Sequence, residues 1–384
     1  MKVALVIERM ETSRGGRETS TAQIASGLAR RGHEVTVLCQ RGSWRCEAVN
    51  VRPLGSRGLL RSQRLRNFVL DVQREMTEQP YDVVHAMLPV PGADVYQPRG
   101  GTVPAQAAAS LRRRSPAGRV GVAAAQRLNL RRRTMAALER EVAGDTNVLC
   151  LPVSQMVAEE LALYYGRVQR VRVVYNAADV PDPQSDQRAD WRQRLRFKMG
   201  IGSDDPVFLT VAKNFALKGV SETIRAFARW FHANHRRVNG RLIVVGRDLV
   251  EGYQRHAGLR DVGAQVVFIP PTDEVFQWYA AADVCILLSW YDPCSRVVLE
   301  ATRWGIPSIT TAYNGAAEVL EQGAGIVVSS PADIRAVVEA MDELADPKRR
   351  SARVEACWKL ADRLGMDRHV EELLKAYAEA ARRR

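Results

Sequence analysis

Along this chain short apolar runs alternate with longer stretches whose apolar positions recur at helical spacing. Val3–Ile7, Glu34–Cys39, Asp82–His85, Val148–Val153 and Arg172–Tyr175 predict one series of strands. Val207–Val211, Leu242–Val245, Gln265–Ile269, Asp283–Leu288, Ser308–Thr311 and Gly325–Ser329 predict a second. Glu18–Arg31, Leu60–Glu78, Ser221–His232 and Ala332–Leu344 read as helices between them. Strands that are apolar throughout, rather than alternating, belong to sheets covered on both faces. Strand–helix alternation of this kind builds parallel sheets.

The pattern breaks after Asn176. Residues 177–186, from Ala177 to Asp186, are mostly polar with two prolines and read as a linker. The expected organisation is an α/β domain over 1–177 and another over 178–365. A last helix, from about Asp367 to Arg384, follows a kink candidate at Gly365, and residues 366–384 are expected to pack back on the first domain. The fold class is therefore α/β, two doubly wound Rossmann-like domains facing a central cleft. In such sheets ligands bind beyond the carboxyl ends of the strands, and a cleft between domains is a common ligand site.

Composition narrows this picture. Of 384 residues 46% are hydrophobic and 26% charged, which fits a soluble globular protein. No apolar run approaches the roughly 20 residues that span a bilayer. The start, Met1 to Glu8, is too short and too soon charged for a signal peptide, so a cytoplasmic protein is expected. The six cysteines form no CxxC pair, which predicts free thiols. The formal net charge of +13, mostly arginine, suggests an anionic partner: nucleic acid, an acidic membrane surface or phosphorylated substrates. The same balance also arises from arginines spread over exposed helix faces. The densest cluster runs through Arg112, Arg113, Arg114, Arg119, Arg127, Arg131, Arg132 and Arg133, amid alanines and Val120, Val122, Leu128 and Leu130. It reads equally as a basic amphipathic segment on a membrane surface and as a solvated helical hairpin.

The candidate chemistry centres on Ser289 to Glu300. The apolar run Val284 to Leu288 predicts a buried strand, and Arg296 to Trp304 a helix that stops at Gly305 with Pro307 beyond. Asp292 then lies in a strand-to-helix loop and Glu300 on the helix. Ser295 is the expected N-cap, leaving first-turn N–H groups open to a ligand. Glu300 leans back toward that end. Two carboxylates beside a helix N-terminus suit a sugar nucleotide, with N–H groups taking phosphate and carboxylates taking hydroxyls. A solvated turn Asp and an ordinary surface Glu give the same spacing. Lys213 ends the strand Val207–Val211, and Lys218-Gly219 opens the next helix, so both ammonium groups can converge on the charge of a departing diphosphate. The first loop, Glu8 to Gly16, carries Gly15-Gly16 before helix one, where a diphosphate could approach the backbone. It is not GxGxxG, and Cys39-Gln40 stands where a dinucleotide site needs an acid, which argues against a dinucleotide cofactor.

On these residues the sequence resembles a retaining glycosyltransferase of family 4 with the GT-B architecture. The family pattern E-P-F-G-x-x-x-L-E-A-x-x-x-G-x-P stands here as Asp292-Pro293-Cys294-Ser295-Arg296-Val297-Val298-Leu299-Glu300-Ala301, then Gly305 and Pro307. G-R-L-x-x-x-K-G stands as Ala212 to Gly219, P-N-G-x-D as Tyr175 to Asp179, and the amino-terminal G-G as Gly15-Gly16, followed by Arg31-Gly32-His33-Glu34-Val35. The likeness runs almost the whole length and is weaker between about residues 40 and 150. Pro91 to Tyr96 and the basic stretch after it resemble the lipopolysaccharide-core glucosyltransferases that act on inner-core heptose.

The resemblance implies roles residue by residue. Lys213 and Lys218 bind the donor diphosphate, Lys213 replacing an Arg and so losing its bidentate fork. Asp292 contacts the transferred sugar and Glu300 the ribose. Pro293, Cys294, Ser295 and Arg296 offer backbone N–H groups, and Arg247 lies by the base. Gly15 and Gly16 complete the donor side. His85, Asp94 and Arg99 are the acceptor-side candidates; a satisfied structural histidine is the other reading of His85 and the favoured one. Gly100 stands where relatives place a His or Asp. The implied reaction transfers a hexose, glucose by resemblance, from UDP-glucose to a glycan or glycolipid at the inner face of the cytoplasmic membrane. No resident cofactor or metal is expected, nor a nucleic-acid partner. The alternatives are a GT-B epimerase or hydrolase of sugar nucleotides, and a non-catalytic protein binding anionic lipid or nucleic acid.

Overall fold

A computed structural model describes residues 1–12, 15–181, 186–235 and 238–381. It divides into two compact units, Met1–Ala177 with Met366–Arg384, and Ala178–Gly365. In the first unit the elements follow as β1 (Lys2–Val6), β2 (Arg9–Met10), α1 (Gly16–Arg30), β3 (Glu34–Cys39), β4 (Arg41–Gly42), β5 (Val49–Pro53), α2 (Arg61–Glu78), β6 (Val83–Ala86), β7 (Val95–Tyr96), α3 (Val103–Arg112), α4 (Pro116–Leu128), α5 (Leu130–Gly144), β8 (Leu149–Cys150) and α6 (Gln155–Tyr165). The second unit holds α7 (Asp186–Lys198), β9 (Val207–Lys213), α8 (Val220–Asn234), β10 (Arg241–Arg247), α9 (Val250–Gly258), β11 (Val266–Ile269), α10 (Val275–Ala281), β12 (Val284–Leu287), α11 (Arg296–Arg303), β13 (Ser308–Thr311), α12 (Ala317–Leu320), β14 (Gly325–Val328), α13 (Ile334–Ala345) and α14 (Pro347–Ala361). A final helix, α15 (Met366–Ala381), belongs to the first unit.

Each unit has one main parallel sheet, ordered β5-β3-β1-β6-β7-β8 and β11-β10-β9-β12-β13-β14. Ranked by sequence, both are the doubly wound order 3-2-1-4-5-6. The apolar runs follow from burial on two faces. In β1, Val3 and Leu5 pack with Ile24 and Leu28 of α1, while Ala4 and Val6 pack with Leu65, Phe68 and Val72 of α2. In β12, Val284 and Ile286 face the cluster of Phe227 and Trp230, and Cys285 faces that of Tyr279 and Trp304.

Helix α15 completes the first core with Val370, Leu373, Ala376 and Tyr377. A Cβ on Gly27 of α1 would come within 2.8 Å of Val370 Cγ2, so the two helices approach as closely as glycine allows. Helix α7 is held differently. Arg192 Nη1 donates to the carbonyls of Ala280, Ala281 and Ala282 at 3.1–3.2 Å, at the electronegative end of α10. Arg196 donates to Ala281 at 3.2 Å and Asp205 at 2.6 Å. Asp283 gathers Arg192 at 2.7 Å, Arg196 at 3.2 Å and Arg350 at 3.5 Å, and accepts the Val207 N–H at 2.9 Å.

Some expectations are corrected. Residues 172–175 form no strand. Val171 makes one bridge to Cys150, and Pro152, which the Val174 N–H reaches only through its carbonyl, has no N–H to continue a ladder. The expected linker begins buried: Ala177 and Ala178 have no exposure, and the Ala178 N–H donates to Leu364 O at 2.9 Å. Residues 182–185 of that stretch, Ser13 and Arg14 of the first loop, and residues 382–384 of the last helix lie outside the described residues.

Candidate active site

The carboxyl edge of the second sheet carries the residues expected on the donor side. Order reverses there between β9 and β12, the place where doubly wound sheets open a crevice. Lys213 ends β9, in register with Arg247 at the end of β10, and both are exposed. The chain then turns through Asn214, at φ 63°, whose side chain accepts the Leu217 N–H at 3.2 Å. The Phe215 N–H donates to Asp248 at 2.6 Å, tying this loop to the one after β10. Gly219 has φ 66°, and a Cβ there would lie 2.1 Å from Leu288 O. Glycine is the residue this close passage beside β12 admits. The turn brings Lys218 into an ion pair with Asp292, beyond β12, with side chains 19% and 12% exposed. A cation from one side of the switch point thus meets an anion from the other.

The Asp292 loop is braced by the segment after β13. The Asp292 N–H donates to Tyr313 O and the Gly315 N–H to Asp292 O, each at 2.9 Å. Asn314 Oδ1 accepts from the Ser295 and Ala316 N–H groups at 3.1 Å. Ser295 is the N-cap of α11, but its side chain makes no capping bond; its backbone is instead held by Asn314. Cys294 and Ser295 are buried, while Pro293 and Arg296 are partly exposed. On α11, Glu300 is paired with Arg296 at 3.4 Å and accepts the Tyr279 hydroxyl at 3.0 Å. Burial pushes the Glu300 carboxyl above its ordinary range; Arg296 and Tyr279 oppose the shift, and Asp179 adds to it.

In the first unit Gly15 is the N-cap of α1 without a side-chain cap, and Gly16 is exposed. The acceptor-side candidates are each tied into the first unit. His85 is fully buried, its Nδ1 at 2.7 Å from the Tyr377 hydroxyl. Burial, with Arg99 nearby, pushes its imidazole down to about 3. A side chain with no exposure cannot meet an acceptor as it stands, so this histidine is a core group joining β6 to α15. Asp94 accepts the Val84 N–H at 2.7 Å and fixes the turn into β7. Arg99 is buried, bonded to Ser20 and, at 3.2 Å, to Asn176. A Cβ on Gly100 would meet Gln106 Nε2 at 3.3 Å and Arg17 Nη1 at 3.9 Å, an amide and a guanidinium rather than a carboxylate.

Sequence reading missed Tyr279, Asn314 and Asp248. Asn314-Gly315 beyond a buried strand was a usable turn signal; Tyr279, inside an apolar helix, gave none.

Two doubly wound α/β units, the second carrying paired charges at its switch point, have the architecture of the GT-B class. Residues 14–181 match the family model "Glycosyltransferase Family 4" and residues 192–356 match "Glycosyl transferases group 1". The chain belongs to this glycosyltransferase family and is a hexosyltransferase. It is 28% identical over 321 residues to lipopolysaccharide glucosyltransferase WaaG of Escherichia coli K12, covering 83% of this chain and 82% of that protein. It is 27% identical over 262 residues to D-inositol 3-phosphate glycosyltransferase of Xylanimonas cellulosilytica, covering 64% of this chain and 60% of that one. The crystal structure of WaaG superposes with a TM-score of 0.79 at 24% identity, over 97% of this chain and 98% of that one. Anabaena HepE in complex with UDP-glucose superposes with a TM-score of 0.68 at 18% identity, over 98% of this chain and 100% of that one. The structural likenesses establish the fold.

Proposed function

We propose that this enzyme transfers glucose from UDP-glucose, with retention, to a glycan or glycolipid acceptor of the lipopolysaccharide-core type. The Lys218–Asp292 pair at the β9/β12 switch point carries this reading. It sets a cation for the diphosphate beside a carboxylate for the sugar hydroxyls, with Glu300 nearby on α11 for the ribose. The similarity to WaaG and the UDP-glucose held by HepE support the choice of donor and acceptor class. In the step itself the bond from the anomeric carbon to the β-phosphate oxygen breaks as the acceptor oxygen bonds to that carbon. The acceptor proton passes to a phosphate oxygen of the departing UDP. Lys218, with Lys213 and Arg247 along the same edge, stabilises the charge that develops. The nucleotide sugar is a co-substrate, and no resident cofactor or metal takes part. The test is melting temperature against a panel of sugar nucleotides, followed by transfer to a truncated core glycolipid. UDP-glucose is expected to raise the melting temperature by mass action and to yield an α-glucoside. A β-linked product, or stabilisation by GDP-mannose alone, sinks the assignment.

A location at the cytoplasmic face of the membrane is part of the same reading. Among the described residues no helix is long and apolar enough to cross a membrane. Helix α4 buries none of its residues, and Val120, Leu128 and Leu130 are 73%, 80% and 51% exposed among the arginines of α3, α4 and α5. Exposed apolar side chains within a basic segment match the surface of an anionic bilayer. Co-sedimentation with phosphatidylglycerol vesicles is expected and should weaken in the double variant Val120→Asp, Leu128→Asp. Equal binding by that variant, or none by the wild type, removes the membrane contact.

A further inference from the structure

Among the described residues each oxygen of the Glu300 carboxylate faces one side-chain partner in the second unit. Oε2 receives the Tyr279 hydroxyl at 3.0 Å, and Oε1 lies 3.4 Å from Arg296 Nη2. Tyr279 is fully buried in α10, its ring packed beside Phe276 at 5.9 Å and Trp304 at 6.4 Å between centroids, so the hydroxyl is delivered from a fixed position. The Val297 carbonyl, at 3.4 Å, is a longer and neutral competitor for the same proton; the charged carboxylate is the stronger acceptor. An ionised carboxylate has about four lone-pair sites. The Tyr279 hydroxyl occupies one on Oε2 and Arg296 faces Oε1 as an ion pair, so among the described residues at least one remains on each oxygen.

We propose that Tyr279 is a positioning residue: it locks the rotation of the Glu300 carboxylate so that its two remaining lone pairs are presented side by side to the vicinal hydroxyls of the donor ribose. This rests on the reading that Glu300 binds ribose. The charged and titratable groups around Glu300 are Arg296 from its own helix, Tyr279 from α10, Asp179 from the segment that opens the unit, and the Cys285 thiol of β12, which burial and then the Glu300 charge push up. Tyr279 and Arg296 favour the ionised form, while burial and Asp179 disfavour it. The hydroxyl therefore has a second effect: it keeps Glu300 an acceptor at pH values where burial would otherwise protonate it.

Tyr279→Phe separates these effects from packing, because the ring stays. The KM for UDP-glucose is expected to rise about tenfold while kcat at saturating donor holds within about twofold. The acid limb of kcat/KM is expected to move to higher pH, since removing a donor that favours the carboxylate raises its titration further. Glu300→Gln, measured alongside, isolates the underlying reading: if it leaves the donor KM unchanged, Glu300 does not bind ribose. If Glu300→Gln raises KM but Tyr279→Phe moves neither KM nor the acid limb, the positioning role is wrong. A raised KM with an unmoved acid limb also overturns it, because loosened packing alone gives that result. Should Tyr279→Phe melt well below the wild type, 3-fluorotyrosine at position 279 keeps the shape with a more acidic hydroxyl. It is expected to shift the acid limb to lower pH, and no shift refutes the proposal.

Discussion

Lys218→Ala is expected to lower kcat for glucose transfer by about 10²–10³-fold, the usual scale for losing one preorganised charge-stabilising group. The lysine is mostly buried and paired with Asp292, which spans the switch point of the second sheet. Its removal acts twice. On the proposed reading the leaving UDP loses the ammonium nearest the reversal in strand order, and Asp292 is left as an uncompensated anion where the diphosphate would bind. Lys218→Arg keeps the charge on a broader, planar group and should recover only part of the rate. Lys213→Ala should cost less, because Lys213 is exposed and Arg247 stands in register beside it. Single-turnover release of glucose from UDP-glucose reads this directly. A Lys218→Ala rate within about threefold of wild type would end the charge-stabilisation account.

The largest stability effect is expected at Asp283, at the amino end of β12 and so away from the carboxyl edge of the sheet. Three guanidinium groups converge on this carboxylate, those of Arg196 and Arg350 with side chains only 6% and 14% exposed. The Val207 N–H at the start of β9 also donates to it. Asp283→Ala leaves buried cations repelling one another, and removing one partner of a buried ion pair typically costs about 3–5 kcal/mol. Asp283→Asn keeps an acceptor for Val207 but not the charge, and should fall between. Urea unfolding of the intact chain, followed by the tryptophans around α7, measures the difference. A loss below about 1 kcal/mol, the range of surface pairs, would mean that the arginines relax to water and the cluster holds little together.

The sequence disclosed those parts of the fold whose burial is two-sided. β1 and β12 read as apolar runs, and β9 as one broken only by Thr210, because adjacent residues pack against opposite layers. β7 contributes two residues, too few to show any period, whereas β8 was read from the apolar run Val148–Val153, although only Leu149–Cys150 of it form the strand. Helix α7 escaped hydrophobic periodicity because arginines, not an apolar stripe, attach it. The buried Ala177 and Ala178 were hidden among polar neighbours and prolines. On the donor side Lys218, Asp292 and Glu300 were legible because strand ends and helix starts, read from local pattern, bring them to one edge. The supports were not: Asn314 and Tyr279 reach the site from other elements, and only the three-dimensional packing pairs them with Ser295 and Glu300. His85 shows the converse. A histidine ending a strand invites a functional reading, yet its Tyr377 partner sits at the far end of the chain.

That distant partnership bears on how the protein is born. The first unit is assembled from two separated pieces of chain, and the second unit is one unbroken piece between them. On a ribosome, Met1–Ala177 emerges first but lacks Val370, Leu373 and Tyr377, which fill the floor of its core. The later-made unit can therefore mature while the earlier one waits, exposing apolar surface on α1 and β6 until the last helix arrives. The nascent chain is thus expected to complete its two units in inverted order.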